Sequence, residues 1–371
     1  MVAQSPSDEF ICFADARVAD RFDIVAPNVR LVTVGLAESP TEAAAAGGYR
    51  SPGDLLRFTR AVWRERPDVF LSPSVYTYFP IPPRIPVAVA IHDAIPERFP
   101  ELTLPSRRAR LFWWGKVKLA LAQARIVLTV SRYAAGELES VLGVEKDRIR
   151  VVMPAPSSAY WPEPESVAIA AACEAGVPAG EPWFTYVGGF NPHKRVEALV
   201  RAHARLIASG GPRAHLLLVG SLTEDVFHGN LEEIREAIAA SGTSELVHWT
   251  GFLTDERLRC LHSGATALLL VSAAEGFGLP AVEAAACGTP AIATRESPLP
   301  EVLAGGGLFV DPGDEGAIAQ AMRRLLETPG LRRSMGEEAL RAARRLSWAD
   351  GARVALDALH EACSGTFTIA K

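Results

Sequence analysis

Two glutamates, Glu275 and Glu283, flank the turn Gly276-Phe277-Gly278-Leu279-Pro280, and two carboxylates around glycines suit a ligand that carries both vicinal hydroxyls and phosphate. Upstream, Ala267–Val271 is an unbroken apolar run, the pattern of a parallel strand buried on both faces. Downstream, Pro280 fits a first helical turn, where a missing N–H costs nothing, and Ala281, Ala284, Ala285 and Ala286 lead to Gly288 as a stop. Unpaired N–H groups at such a helix start bind phosphate when glycines let the backbone come close. Glu283 is the only charge on this helix of alanines, and a buried carboxylate needs partners; ribose or hexose hydroxyls supply them. Glu275, at the strand's C-terminal end, can reach the same ligand. The alternative is that both are early-turn acids complementing the helix dipole.

A second cluster follows the strand expected at Phe184–Val187. Gly188-Gly189-Phe190 reads as a turn, Asn191 as an N-cap and Pro192 as the first helical position, with apolar residues at helical spacing from Val196 to Ile207. His193, Lys194 and Arg195 would then sit in the first turn, where cations oppose the macrodipole unless an anion lies between them. The plainer reading is a solvated basic turn. His92-Asp93 ends the strand expected at Val87–Ile91, and open α/β sheets take ligands at such ends; by chemistry alone, a lone histidine is more often structural. Neither Asp-x-Asp nor His-x-x-x-His occurs, so no metal site and no cofactor are expected. One rival stays open, because Gly276–Ala281 also fits Gly-x-Gly-x-x-Gly/Ala with Glu296 after the next strand, the fingerprint of an NAD- or FAD-dependent oxidoreductase.

Strands alternate with helical stretches throughout, which predicts doubly wound α/β domains. Strands are expected at Phe10–Phe13, Arg30–Val34, Val69–Ser72, Val87–Ile91, Ile126–Val130 and Ile149–Val152, then at Phe184–Val187, Leu216–Val219, Leu246–Trp249, Ala267–Val271, Ala291–Ala293 and Leu308–Val310. Between the two sets, Pro154–Pro164 holds four prolines and two serines and reads as a linker. At 371 residues and 49% hydrophobic, the chain exceeds one core, about 250–300 residues, so two domains are expected. A formal charge of −5 argues against nucleic acid as a partner. The five cysteines are scattered without paired spacing, as in reduced cytoplasmic proteins. No apolar run approaches a membrane span of about 18 residues, and the first residues are no signal peptide. The expected location is the cytoplasm.

Glu275-Gly-Phe-Gly-Leu-Pro-x-x-Glu283, followed by Cys287-Gly288-Thr289-Pro290 and Pro300-Glu301-Val302, resembles the C-terminal half of the retaining glycosyltransferases of family 4, and the resemblance runs from about Phe70 onward. It implies the GT-B fold, two Rossmann-like doubly wound domains facing a cleft. Residues 1–160 would form the N-terminal acceptor domain, 165–345 the nucleotide-sugar donor domain, and 346–371 a helix crossing back to the first domain. By the same resemblance Glu275 contacts the transferred sugar, Glu283 the ribose, and Lys194 the diphosphate. His92 meets the sugar or the leaving phosphate, so that His92, Lys194 and Glu275 are the catalytic candidates. Gly188, Gly189, Arg195, Gly251, Phe252, Gly276, Phe277, Gly278 and Leu279 complete the donor-binding set, with Gly251-Phe252-Leu253 as the base-contacting loop. The implied reaction moves a hexose from a nucleoside diphosphate sugar to a glycan, lipid-linked or small-molecule acceptor, without metal.

The sequence departs from the family in two places. Many members carry an arginine in the turn held here by Gly188, Gly189 and Phe190, so Arg195, His193 or backbone N–H groups must replace that cation. Members also open with a strand before the one that Phe10–Phe13 resembles, so the first strand of the N-terminal domain is expected to be missing. That departure, with the absent arginine, motivates a third reading as a non-catalytic sugar-nucleotide binder. Tyr186-Val187-Gly188-Gly189 and His92-Asp93-Ala94-Ile95-Pro96 look most like bacterial mannosyltransferases, which favours GDP-mannose. Residues 107–118, Arg-Arg-Ala-Arg-Leu-Phe-Trp-Trp-Gly-Lys-Val-Lys, mix cations with aromatics. Either the aromatics pack inward while the cations reach water, or this stretch makes peripheral contact with the inner face of the cell membrane.

Overall fold

The computed structural model describes residues 1–37, 51–104, 106–222 and 229–364, so residues 365–371 of the expected C-terminal segment lie outside it. The chain forms two compact units, one of residues 1–153 with 348–371 and the other of residues 154–347. Residues 154–160 group with the second unit, where Tyr160 Oη donates to Asp255 Oδ1 at 3.1 Å and the Ala159 carbonyl accepts from Arg259 at 2.9 Å.

In unit 1, β1 (Phe10–Asp15) and β2 (Val29–Val34) form a parallel pair. A separate four-stranded sheet holds β3 (Phe70–Ser72), β4 (Val87–Ala90), β5 (Ala124–Thr129) and β6 (Ile149–Val151), all parallel in that order. Ahead of β1, Val2–Gln4 is a single 3₁₀ turn rather than a strand. Three helices start at serine caps. Ser51 accepts from the Asp54 N–H at the start of α1 (Pro52–Glu65), Ser106 from Ala109 at α2 (Arg107–Gln123), and Ser131 from Ala134 at α3 (Arg132–Leu142), each satisfying a donor the helix leaves open. Phe58, Val62, Trp113, Val117 and Leu138 from these helices join Val87, Val89 and Val127 in one core.

Unit 2 is a single six-stranded parallel sheet. Its strands are β7 (Trp183–Val187), β8 (His215–Val219), β9 (Val247–Gly251), β10 (Ala267–Leu270), β11 (Ala291–Thr294) and β12 (Gly307–Val310), and they lie in the order β12-β11-β10-β7-β8-β9. Phe184, Leu216, Leu218 and Leu269 sit in its core with Leu199, Val200 and Leu206 of α4 (Val196–Ala208). All five residues of β8 and all four of β10 are buried, which is what helices on both faces of a parallel sheet require. The strand order turns outward from β7 in both directions, so the sheet has a topological switch point between β7 and β10. Ligands of open α/β sheets bind at that point, beyond the strands' C-terminal ends. The remaining helices used below are α5 (Asp255–Gly264), α6 (Leu279–Ala286) and α7 (Glu315–Glu327) in unit 2, and α8 (Trp348–Ser364). Helix α8 completes unit 1 by packing Ala355, Ala358 and Ala362 against Ile126 and Leu128.

Candidate functional site

The segments leaving β7 and β10 meet at the switch point. After β7, Gly188 takes φ 153° and Gly189 gives its carbonyl to Tyr186 Oη. The helix expected from Pro192 does not start there. Pro192–Lys194 is a 3₁₀ turn, Arg195 follows at φ 52° in the left-handed region, and the α-helix begins at Val196. His193, Lys194 and Arg195 therefore precede the helix, with Arg195 at its N-cap, and positive charge at that end of the macrodipole is offset by the Glu275 carboxylate beside Lys194. After β10, Ser272 to Gly278 are all buried. The two segments are joined twice, by the Ala273 N–H donating to the His193 carbonyl at 2.7 Å and by Lys194 Nζ pairing with Glu275 Oε1 at 2.8 Å. Ser272 Oγ donates to the same oxygen at 2.5 Å, and the Glu275 N–H donates to the Glu296 carbonyl at 2.9 Å. Among the described residues, both side-chain hydrogen bonds to the Glu275 carboxylate are to Oε1, which fixes that oxygen.

His193 and Arg195 differ from a plain basic turn. Burial, then the neighbouring Lys194 charge, pushes the His193 imidazole down to about 4. It is neutral near pH 7, so it is not the second cation the sequence leaves to be found. Its Nδ1 is buried without a hydrogen-bond partner. Arg195 makes no ion pair among the described residues, and its Nη1 occupies the space at Gly313, 2.5 Å from where a Cβ would stand.

Gly278 caps α6 in the left-handed conformation, φ 85° and ψ 46°, with Leu279 and Pro280 opening the helix. A side chain there would be strained and would also meet Leu299 Cδ1 at 2.8 Å. Gly278→Ala should therefore cost about 1–2 kcal/mol in backbone strain alone and lower the melting temperature by about 2–4 °C per kcal/mol; a melt that matches the parent would contradict this account of the turn. Phe277 is buried, as are Gly276 and Gly278 on either side of it. At the end of β9, by contrast, Gly251 turns at φ 71° and Phe252 is 80% exposed.

Glu283 is half-buried on α6 between buried alanines. Burial first, then the Asp255 charge on α5, pushes its carboxyl up to about 7. Tyr160 is shifted upward by burial and by Glu283, and Cys287 is pushed up to about 12, mainly by burial. The surroundings are apolar with a few polar groups, as small-ligand sites are. Lys194, Glu275, Gly276 to Leu279 and Glu283 thus come together around one strand end and one helix start, with Gly188, Gly189, Gly251 and Phe252 at the ends of β7 and β9. His92 belongs to unit 1, where it is exposed at the C-terminal end of β4 and Asp93 Oδ1 accepts from the Ile95 N–H at 3.0 Å. Ser272, Asp255 and Tyr160 were not singled out from the sequence. Only Ser272 left a signal, as a polar residue directly after an apolar run.

The chain matches two family descriptions, Glycosyltransferase Family 4 over residues 11–155 and Glycosyl transferases group 1 over residues 171–342. It is 28% identical over 299 residues to the O-antigen chain mannosyltransferase B of Escherichia coli, covering 79% of this chain and 75% of that protein. Other curated relatives are longer, and the chain spans 52% of one and 32% of another. Among solved structures, sucrose-phosphate synthase of Thermosynechococcus elongatus superposes with a TM-score of 0.75 at 21% identity, covering 98% of this chain and 92% of that one. Anabaena Alr3699/HepE in complex with UDP-glucose gives 0.64 at 20% identity, covering 89% and 85%. The Gly276–Ala281 turn follows the fourth strand of its sheet, not the first as the dinucleotide fingerprint requires, and none of these matches is an oxidoreductase. Two family matches that together run through both units, with a parallel α/β sheet in each, make this chain a family-4-like glycosyltransferase of the GT-B fold.

Proposed function

We propose that this protein is a retaining hexosyltransferase that takes its sugar, mannose by preference, from a nucleoside diphosphate sugar and passes it to a glycan, lipid-linked or small-molecule acceptor. The observation that carries the reading is the Lys194–Glu275 pair at the switch point, 2.8 Å apart, with Glu283 one helical turn beyond. A diphosphate arriving there meets Lys194 and the N–H groups of the Gly276–Leu279 turn. Fixed donors of this kind stabilise the charge that grows on a leaving group, and they do so most strongly away from water. Glu275 is left one carboxylate oxygen for the sugar hydroxyls as its cation turns toward phosphate. Glu283 takes the ribose. The resemblance to mannosyltransferases, including the 28% identical O-antigen enzyme, supports mannose. The UDP-glucose complex of a structural neighbour supports a nucleoside diphosphate donor. Front-face attack, with the departing phosphate taking the acceptor proton, is the retaining route this set of residues can serve without metal.

The test is transfer from a panel of GDP-, UDP- and ADP-sugars with the anomer of the product read by NMR. An inverted product would remove the retaining assignment, and no transfer or donor hydrolysis with any donor would favour a sugar-nucleotide binder. Glu283 adds a pH signature. With its carboxyl held up to about 7 before nucleotide binds, binding must drive off a proton wherever the ribose hydroxyls prefer the carboxylate. Affinity for free GDP or UDP should therefore rise as pH climbs toward 7 and level off above it, with proton release on binding. Glu283→Ala should weaken the nucleotide by roughly 1.5–3 kcal/mol and flatten that profile. Calorimetry at pH 6 and pH 8 checks both, and a parent protein with pH-independent affinity would count against the ribose role.

A further inference from the structure

Helix α2 is apolar on two opposite sides. On one side Ala109, Trp113, Val117 and Ala120 recur at helical spacing and are buried. Trp113 Nε1 donates to Glu97 at 2.6 Å, and Lys116 Nζ donates to the Tyr76 carbonyl at 2.8 Å. That side meets the expectation that aromatics pack inward, but it uses only one of the three aromatics. On the other side Leu111 is 68% exposed, Trp114 60%, Phe112 46% and Leu119 38%.

These exposed residues stand among cations. Positions 107, 111, 114 and 118 follow one another at steps of three and four, so Arg107, Leu111, Trp114 and Lys118 share a stripe, and all four are exposed. Arg108 lies beside it with its guanidinium 5.3 Å from the Phe112 ring, and Arg110 is exposed nearby. No aspartate or glutamate occurs between Glu101 and Glu137, although the whole chain carries a formal charge of −5. The helix therefore carries its positive charge with no acid of its own.

Charge and shape together select the partner. A helix that only faces water gains nothing from four large apolar side chains, and exposed apolar patches rimmed by polar groups mark interaction sites. A second copy of the chain would bring the same cations against these, which like charges disfavour. A bilayer with anionic lipid answers both halves of the pattern: rings and leucines enter the boundary of the acyl region to about 5–10 Å, while arginine and lysine stay at the phosphates. We propose that the face of α2 carrying Arg107, Leu111, Trp114 and Lys118 docks on an anionic phospholipid surface. The docking is reversible and lies in the interface plane, since no described helix is long and apolar enough to cross a membrane.

The test uses the full chain and reads binding alone, so it stands whatever sugar is transferred. Co-sedimentation is compared for vesicles of phosphatidylcholine and for vesicles that also contain phosphatidylglycerol. The parent should bind the anionic vesicles on the order of tenfold more tightly or better, and the preference should shrink when the Debye length falls from about 10 Å to about 3 Å at high salt. Arg107→Glu/Lys118→Glu and Leu111→Ser/Trp114→Ser should each remove most of the binding with an unchanged melting temperature. Brominated lipid should quench tryptophan fluorescence in the parent and less so in Trp114→Phe. Equal binding to both vesicle types, or anionic binding that neither double variant reduces, overturns the proposal. So does self-association of the parent in sedimentation velocity that Leu111→Ser/Trp114→Ser abolishes, because the occupant would then be a second copy.

Discussion

Lys194→Ala should lower the turnover of sugar transfer by about 10²–10³-fold, the loss that follows removal of one preorganised donor to a developing anion. Affinity for the free nucleoside diphosphate should fall with it, since on the proposed reading the lysine holds phosphate in the ground state as well. The structure adds a second cost. Glu275 is buried and, among the described residues, its one cationic partner is Lys194, so the alanine variant leaves a carboxylate that keeps the Ser272 hydroxyl but loses its counter-charge. Breaking a buried pair from one side is more damaging than never having had it, and the melting temperature should drop. Lys194→Arg separates the two effects: it keeps the positive charge beside Glu275 but does not reproduce the compact ammonium that a diphosphate accepts. It should recover stability more than turnover. A Lys194→Ala protein that binds GDP and UDP as the parent does would end the phosphate assignment.

Glu275→Gln should reduce kcat by about 10²-fold while affinity for the free diphosphate stays level or improves. The amide retains an oxygen for Ser272 but no longer neutralises Lys194, which leaves that ammonium more available to phosphate. What is lost is a contact to the sugar ring that strengthens as the ring gains positive charge, and such a contact acts on the barrier more than on ground-state binding. The two substitutions share one ion pair, so Lys194→Ala/Glu275→Gln should be markedly non-additive in melting temperature. Turnover, GDP and UDP affinity and thermal melts on the same three proteins resolve these outcomes. Normal turnover in Glu275→Gln would remove this residue from the donor sugar.

The parallel strands were legible because a strand covered on both faces must be apolar at every position. Ala267–Val271 announced β10, and Phe184–Val187 announced β7, to within a residue at their ends. The turn at Gly278 was equally plain, since few residues other than glycine tolerate a left-handed cap ahead of a proline-started helix. The start of α4 was not. Asn191 and Pro192 carry the usual signs of a helix entry, but a 3₁₀ turn and a left-handed Arg195 intervene, and an arginine at positive φ leaves no mark in composition. The site's cross-connections were hidden for a different reason. Lys194 meets Glu275 across 81 residues and Tyr160 meets Asp255 across 95, so spacing along the chain says nothing about either. On α2 the aromatic run was visible, but only the fold separates Trp113, which is buried, from Trp114, which is not.

The return of α8 to unit 1 sets an order of events at the ribosome. Unit 2 is contiguous in sequence and can close its sheet as soon as it has been made, whereas unit 1 waits for residues that follow about 200 others, roughly 10–40 seconds of synthesis at about 5–20 residues per second. Until then Ile126 and Leu128 lack the alanines that cover them, and Arg150 and Arg125 lack Glu361 and the Ala362 carbonyl, which they later meet at 2.5 and 2.8 Å. The nascent first half is consequently the species most in need of a chaperone. A chain stopped after Ser347 would carry that sheet face uncovered, so unit 1 cannot close until α8 has been made.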